Sequence, residues 1–250
     1  MKKTILILLA CFTAIVICSC NQQKPKDNQL ALGASETTLS PYFFTGILKP
    51  KDLKVVSNNG NGYGSEKSDY TSLLLMLSGD NFAQFSEVTF EEFKKIANKI
   101  GDTESKDGYY HATKDENQTT ESAISEVTIK TISRYNESHP EGSSLKDIIR
   151  INYQSFDHVF NKALKPTVFG SANHAMYTVE PSDDFTQVKH PALIMGTYIG
   201  ERGYKDGLAM SIEFVQAPSI ATQQLQVTLL FEDGTKLTKD ITVDILEIKK

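Results

Sequence analysis

Five histidines, His111, His139, His158, His174 and His190, are the side chains of this sequence best suited to acid–base work or to holding a transition metal. No two of them stand four residues apart, the spacing that sets two imidazoles on one helical face, and none has a cysteine partner. Asp157-His158 has the residue types of a catalytic relay, but neighbours on a strand point to opposite faces. The histidines therefore read as unrelated, with no catalytic residue, metal site or cofactor assigned. Gly-x-Ser-x-Gly, Walker and dinucleotide fingerprints do not occur. Asn58-Asn59-Gly60-Asn61-Gly62-Tyr63-Gly64 is glycine-rich, yet no helix start follows to complete a phosphate cradle, so it reads as a loop between strands. Asp102-Thr103-Glu104-Ser105-Lys106-Asp107-Gly108 has the acidity of a calcium loop. Lys106 falls on a ligand position and no second helix follows, so it reads as a solvated acidic turn. For a glycan, the flat aromatic platforms on offer are tyrosines near turns, Tyr109, Tyr110, Tyr198 and Tyr204, because the chain has no Trp.

The elements that must carry these residues are mostly strands. One segment is helical: Phe90, Phe93, Ile96, Ala97 and Ile100 form an apolar stripe at helical spacing. Thr89 with Glu92 makes a capping box, and Gly101 is placed to end the helix, which predicts a helix over 90–100. Val127 to Tyr135, Asp147 to Tyr153 and Leu208 to Phe214 alternate as strands do, and Ala192 to Ile199 is apolar on both faces. At the end of the chain, Leu225, Val227, Leu229 and Phe231 share one parity, as do Leu237, Ile241, Val243 and Ile245 on the return strand. A two-residue turn over Asp233-Gly234 would pair Leu229 with Thr238 and put polar residues on the apolar face. A three-residue loop centred on Asp233 or Gly234 restores apolar pairing, with Gly234 at a positive-φ bulge position.

Short strands with turn signals every 8–12 residues fill 166–250, the pattern of an antiparallel β-sandwich of immunoglobulin-like size. The expected fold is mainly β. A β-rich N-terminal lobe over 41–165 contains the one helix, and a β-sandwich lobe covers 166–250; one continuous β domain is the alternative.

The 250 residues include 31 Asp plus Glu against 26 Lys plus Arg, for a formal charge of -5. That balance excludes a dedicated nucleic-acid binder, which needs a basic stripe to displace phosphate counterions. With 40% apolar and 23% charged residues, the chain has globular rather than disordered composition.

Residues 1–20 read MKKTILILLACFTAIVICSC. Lys2 and Lys3 form a positive start, and Ile5 to Ile17 is an apolar run of 13 residues. A membrane span needs ~20 residues to cross ~30 Å of hydrocarbon, so the run fits the core of a signal peptide. It ends Ile17-Cys18-Ser19-Cys20. Here the chain resembles the precursors of bacterial lipoproteins, whose lipobox has an aliphatic residue, two small ones and an obligatory Cys; Cys18 stands where Ala, Ser or Thr is usual. In general character it is similar to small lipoproteins of the Bacteroides group. The resemblance implies a signal peptide over 1–19, an acylated Cys20, and a lipidated flexible linker over 20–40. Cys11 and Cys18 would leave with the signal peptide, so the mature fold has no thiol for a disulfide or a nucleophile. Loss of Lys2 and Lys3 leaves 24 basic residues against 31 acidic ones, a formal charge of -7. Such a surface is not drawn to anionic lipid, so Cys20 would hold the protein at the membrane.

Among Bacteroides-group lipoproteins an acidic run after the Cys marks surface export. Asn21-Gln22-Gln23-Lys24 carries no acid, so a periplasm-facing outer-membrane lipoprotein is expected. The functional expectation is a membrane-tethered, non-enzymatic binding or assembly module of the cell envelope, with a protein or glycan partner and no nucleic acid. A fimbrillin-like pilus subunit is the alternative, and an exported hydrolase stands behind it. Fimbrillins are matured by cleavage after an early Arg, whereas Arg134, Arg150 and Arg202 all lie in the second half.

Overall fold

In a computed structural model that describes residues 38–58, 69–103, 110–112, 117–160, 168–169, 175–195 and 207–247, the alternating run Gly207–Phe214 is the middle strand of the largest sheet. Numbered in chain order it is β11, flanked by β3 (Ser72–Ala83) and β7 (Ile149–Ser155). β2 (Gly46–Asn58) and β5 (Gln118–Thr120) extend the sheet beyond β3; β9 (Ala175–Val179) and β8 (Val168–Phe169) extend it beyond β7. β10 (Ile194–Met195) pairs with the start of β11. These neighbours run antiparallel, except β2 and β5.

A second sheet has the order β13 (Lys236–Asp244), β12 (Thr222–Phe231), β6 (Ile124–Thr131). Its inner residues Leu225, Val227, Leu229 and Phe231 join one apolar core with Leu73, Leu75 and Leu77 of β3 and Met210, Ile212 and Phe214 of β11. The two sheets therefore pack face to face. Register makes the packing regular: Leu73, Ile212, Ile151 and Val179 form a row straight across β3, β11, β7 and β9. Each such side chain contributes about 1.5–3 kcal/mol on full burial, so a row of this kind fixes strand order and register together.

The terminal hairpin closes on the three-residue loop centred on Asp233. Leu229 pairs with Leu237 and Leu225 with Ile241; the Gly234 N–H donates to the Phe231 carbonyl, and Gly234 has φ +87. The alternative register, Val227 with Ile241, is not adopted.

The fold is mainly β, as the patterning predicts, but the sheets run across the boundary expected at 165/166. β11 lies between β3 and β7, and β12 pairs with β6, so strands from both stretches share each sheet. The described strands of 166–250 do not close a sandwich of their own, and Glu36–Lys250 is one compact unit. The physical reason is β11 itself. A strand apolar on one side and buried on the other needs hydrogen-bonding neighbours on both edges, and β3 and β7 supply them. The expected linker over 20–40 also ends early. Thr38–Ser40 is β1 and pairs with β4 (Tyr110–Ala112). The signal peptide, Cys20 and residues 21–37 lie outside the described residues, as do 196–199 of the expected strand after Ala192.

Among the described residues the one helix longer than a single turn is α1 (Phe90–Lys99). It buries Phe93, Ile96 and Ala97 in a second, smaller core with Tyr42, Phe44 and Phe156. Gly101, at φ +90, ends it as expected: the Asp102 N–H reaches the Ala97 carbonyl and the Gly101 N–H the Asn98 carbonyl, a Schellman closure. The capping box does not form. The Thr89 hydroxyl is spent on Ala83, accepting from its N–H at 3.1 Å and donating to its carbonyl at 3.3 Å, and Glu92 pairs with Lys95. β6 starts at Ile124 and stops at Thr131, short of the expected Tyr135, whose ring is buried and whose hydroxyl donates to the Gln216 carbonyl. The run at 147–153 opens with a 3-10 turn, Lys146–Ile148, before β7.

Gly79 of β3 faces a bulge in β2 at Lys51, where the backbones approach so closely that a Cβ would sit 1.9 Å from the Lys49 carbonyl oxygen. Gly79→Ala is expected to cost roughly 1–3 kcal/mol, read as a lower urea midpoint; an unchanged midpoint would contradict this packing.

Candidate functional site

The histidines read as unrelated from the sequence, yet one of them, His190, pairs with Asp157 across a spacing that no local motif shows. Asp157 opens the short helix α2 (Asp157–Phe160), and its Oδ1 lies 2.8 Å from Nδ1 of His190. The Nε2 of His190 lies 3.1 Å from the carbonyl oxygen of Ile100, at the C-terminal end of α1. The imidazole stacks on Phe160 with centroids 4.4 Å apart. Both ring nitrogens thus face acceptors that belong to the fold, and neither faces a nucleophile. Burial alone would raise the Asp157 carboxyl, but the hydrogen bond and charge of His190, with the N–H groups of Lys189 and His190, hold it below the usual carboxylate range. What the arrangement can do is tie α1, α2 and the segment at 189–190 together.

Asp102 completes this centre and corrects the reading of 102–108 as a solvated acidic turn. Its side chain is buried, and its two carboxylate oxygens accept from the N–H groups of Phe43 and Phe44 at 2.9 Å each. The Schellman turn at Gly101 aims it back at the chain, so it faces backbone rather than water. Residues 104–108 lie outside the described residues. Burial pushes the Asp102 carboxyl up to about 6, against the opposing pull of the Phe44 and Phe43 N–H groups and His190.

The remaining expected residues scatter. His139 is buried, with Nδ1 2.8 Å from Asn136 Oδ1 and Nε2 2.9 Å from Asp147 Oδ1. His111 lies in β4, opposite Leu39. His174, Tyr63, Tyr109, Tyr198, Tyr204 and Arg202 lie outside the described residues, as do residues 59–64 of the glycine-rich stretch. Arg150 holds both Glu180 oxygens through Nε and the buried Glu213 through Nη1. Among the described residues no three His, Cys, Asp or Glu side chains converge as a metal site, and no helix is long and apolar enough to cross a membrane.

A different feature is shaped to receive a ligand. The second sheet is narrower than the first, so among the described residues β6 is an edge strand and no strand of the second sheet lies beyond it toward β7 and β9. The result is a cleft of about 420 Å³, within the range of ligand pockets. Its floor is apolar: Val127, Ile129, Ile149, Ile151, Val179 and Phe185. Its rim is charged, with Glu126, Glu180, Asp183 and Asp184 against Lys130 and Lys146. Lys146 reaches Asp184 at 2.6 Å, and that hydrogen bond and charge hold the Asp184 carboxyl below the usual range. The alternation of β6 was readable in the sequence, but its place at the edge of a sheet depends on which strands pair far along the chain.

No protein-family model, no curated protein and no solved structure matches this chain. Geometry and chemistry are therefore the ground for a functional reading.

The raised Asp102 carboxyl fixes the sign of a pH effect. Its protonation favours the fold below the ordinary value of 3.8, and that contribution is lost as pH rises through about 6. Asp102→Asn is expected to cost more stability at pH 4 than at pH 7, by roughly 1–3 kcal/mol in urea unfolding. An equal cost at both pH values would contradict a carboxyl that gives up its proton late.

Proposed function

We propose that this chain is a membrane-tethered lipoprotein of the cell envelope, facing the periplasm, that acts as a non-enzymatic binding module with the cleft beside β6 as its binding surface. The observation that carries the binding half is the cleft: half-buried Val127, Val179 and Phe185 lie over the buried Ile129, Ile149 and Ile151, ringed by charged side chains. A concave, partly open apolar floor with a charged rim is the kind of place where another molecule docks. The acid–histidine centre supports the same reading, since Asp102, Asp157 and His190 spend their polar atoms on backbone and on each other. A hydrolytic role would instead call for a base with a free nitrogen beside a nucleophile.

The tether is supported by the N-terminal sequence. The basic start, the apolar run and Ile17-Cys18-Ser19-Cys20 are what lipoprotein export requires, and each acyl CH₂ buried in a bilayer contributes about 0.8 kcal/mol. Several chains on Cys20 would hold an acidic protein at a membrane that its own surface does not attract.

Cys20→Ala is expected to move the protein from the membrane fraction to the soluble fraction of lysed cells, with the fold unchanged by circular dichroism. Membrane retention equal to that of the wild type would overturn tethering through this residue.

A further inference from the structure

We infer that the cleft takes an extended peptide segment of a partner protein, which adds to β6 as the next strand of the second sheet; this rests on reading the cleft as a binding surface. The first observation is which residues line it. Six consecutive positions of β6, Ser125 to Lys130, face the cavity. Successive side chains of a strand point to opposite faces, so a cavity touching all six runs along the edge of the strand and not across one face.

The second observation is the state of that edge. β6 is antiparallel to β12, and in such a pair alternate residues direct both backbone groups away from the partner. Thr131 and Ile129 are of this outward set: the Thr131 N–H donates to the Ser143 carbonyl, and the Ile129 carbonyl accepts from the Leu145 N–H. At the other end, Ile124 and Val188 exchange two backbone hydrogen bonds at 2.9 Å each. Val127 lies between these closures and has the same parity as Ile129 and Thr131. Its outward N–H and carbonyl, with the Ile129 N–H, have no partner among the described residues. Short segments of the chain thus already pair with this edge on both sides of a gap, from Ile124 to Ile129, of about 17 Å at ~3.4 Å per residue. An unpaired edge of donors and acceptors at strand spacing calls for an extended main chain, which a sugar or a small amphiphile does not supply.

The floor and rim define the segment further. A strand laid along β6 would turn alternate side chains onto Ile151, Val179 and Phe185, so it should be apolar at every second position. The rim carries four carboxylates and two ammonium groups. Lys146 is paired with Asp184 and Arg150 with Glu180, while Asp183 has no ion-pair partner among the described residues. Among the described residues Glu126 and Lys130 also have none, so two carboxylates stand against one ammonium and the complementary segment is net basic. Such pairing is main-chain recognition with side-chain pockets for specificity.

The synthetic heptapeptide KVTVTVK has this pattern and serves as the probe, titrated into the isotope-labelled protein and followed by amide NMR. Saturable shifts at Ile129, Ile151 and Phe185, with slower hydrogen exchange at the Val127 and Ile129 amides, are the expected result. Val127→Pro removes the outward N–H, which edge positions tolerate, and is expected to weaken binding roughly fivefold to tenfold. A backbone N-methylated copy of the peptide, which needs no variant protein, is expected not to bind. Equal binding of the methylated and unmethylated peptides would overturn strand addition. So would protection of the Val127 amide by self-association of the protein without peptide. An anilinonaphthalene dye separates the two levels: dye shifts at Phe185 and Ile151 without any peptide response overturn the peptide and keep the cleft as a binding surface. No response to either probe overturns both.

Discussion

A strand buried on both faces must find a partner for every polar group it carries, and β11 sets that condition for the whole fold. One face, Met210, Ile212 and Phe214, belongs to the core shared with the second sheet. The other carries Ser211 and Glu213, and Glu213 is 1% exposed. A carboxylate so placed is tolerable only with charge and hydrogen bonds at hand. Arg150 supplies the first at 3.3 Å and Asn152 the second at 2.8 Å, while the Thr178 hydroxyl donates to Asn152 Oδ1 at 2.9 Å. These partners stand on β7 and β9, so register on the polar face must agree with register on the apolar one. Shifting β7 by one residue would move Ile151 out of the core and take Arg150 and Asn152 from Glu213 together. Two independent demands thus specify the same pairing of segments that lie far apart in the chain.

The same condition explains why the second sheet stays narrow. The large sheet spends strands on both edges of β11, and the hairpin β12–β13 with β6 must cover what it can of the resulting face. Cover is complete over Leu73 and Ile212 and runs out over Val179 and Phe185. The cleft is thus a consequence of sheet widths, with a partly open apolar floor inside a charged rim.

Local patterns in the sequence reported local structure well. The alternation of Leu208 to Phe214, the parity of the last hairpin and the helical stripe ending at Gly101 each depend on residues a few positions apart, and each appears where expected. What failed depended on distant partners. The Thr89 hydroxyl had a competing offer from the end of β3, so the capping box lost. Asp102 has the composition of a surface turn but meets the N–H groups of Phe43 and Phe44, nearly sixty residues earlier. Asp157 sits next to one histidine in sequence and binds another 33 residues on. The lobe boundary failed for the same reason, since no local signal announces that Gly207–Phe214 will insert between strands from the first half. The candidate site was half legible: the strand could be read, and its edge could not.

Central to this account is a fold secured at β11 and left open at one edge of β6, and amide hydrogen exchange of the unliganded protein reads both at once. The amides of Ser211 and Ile212 should be among the slowest to exchange, since only global opening exposes them, while the Val127 amide should exchange orders of magnitude faster although its strand neighbours are protected. A Val127 amide as slow as those of β11 would show that edge already paired, and would contradict the open strand on which the binding surface depends.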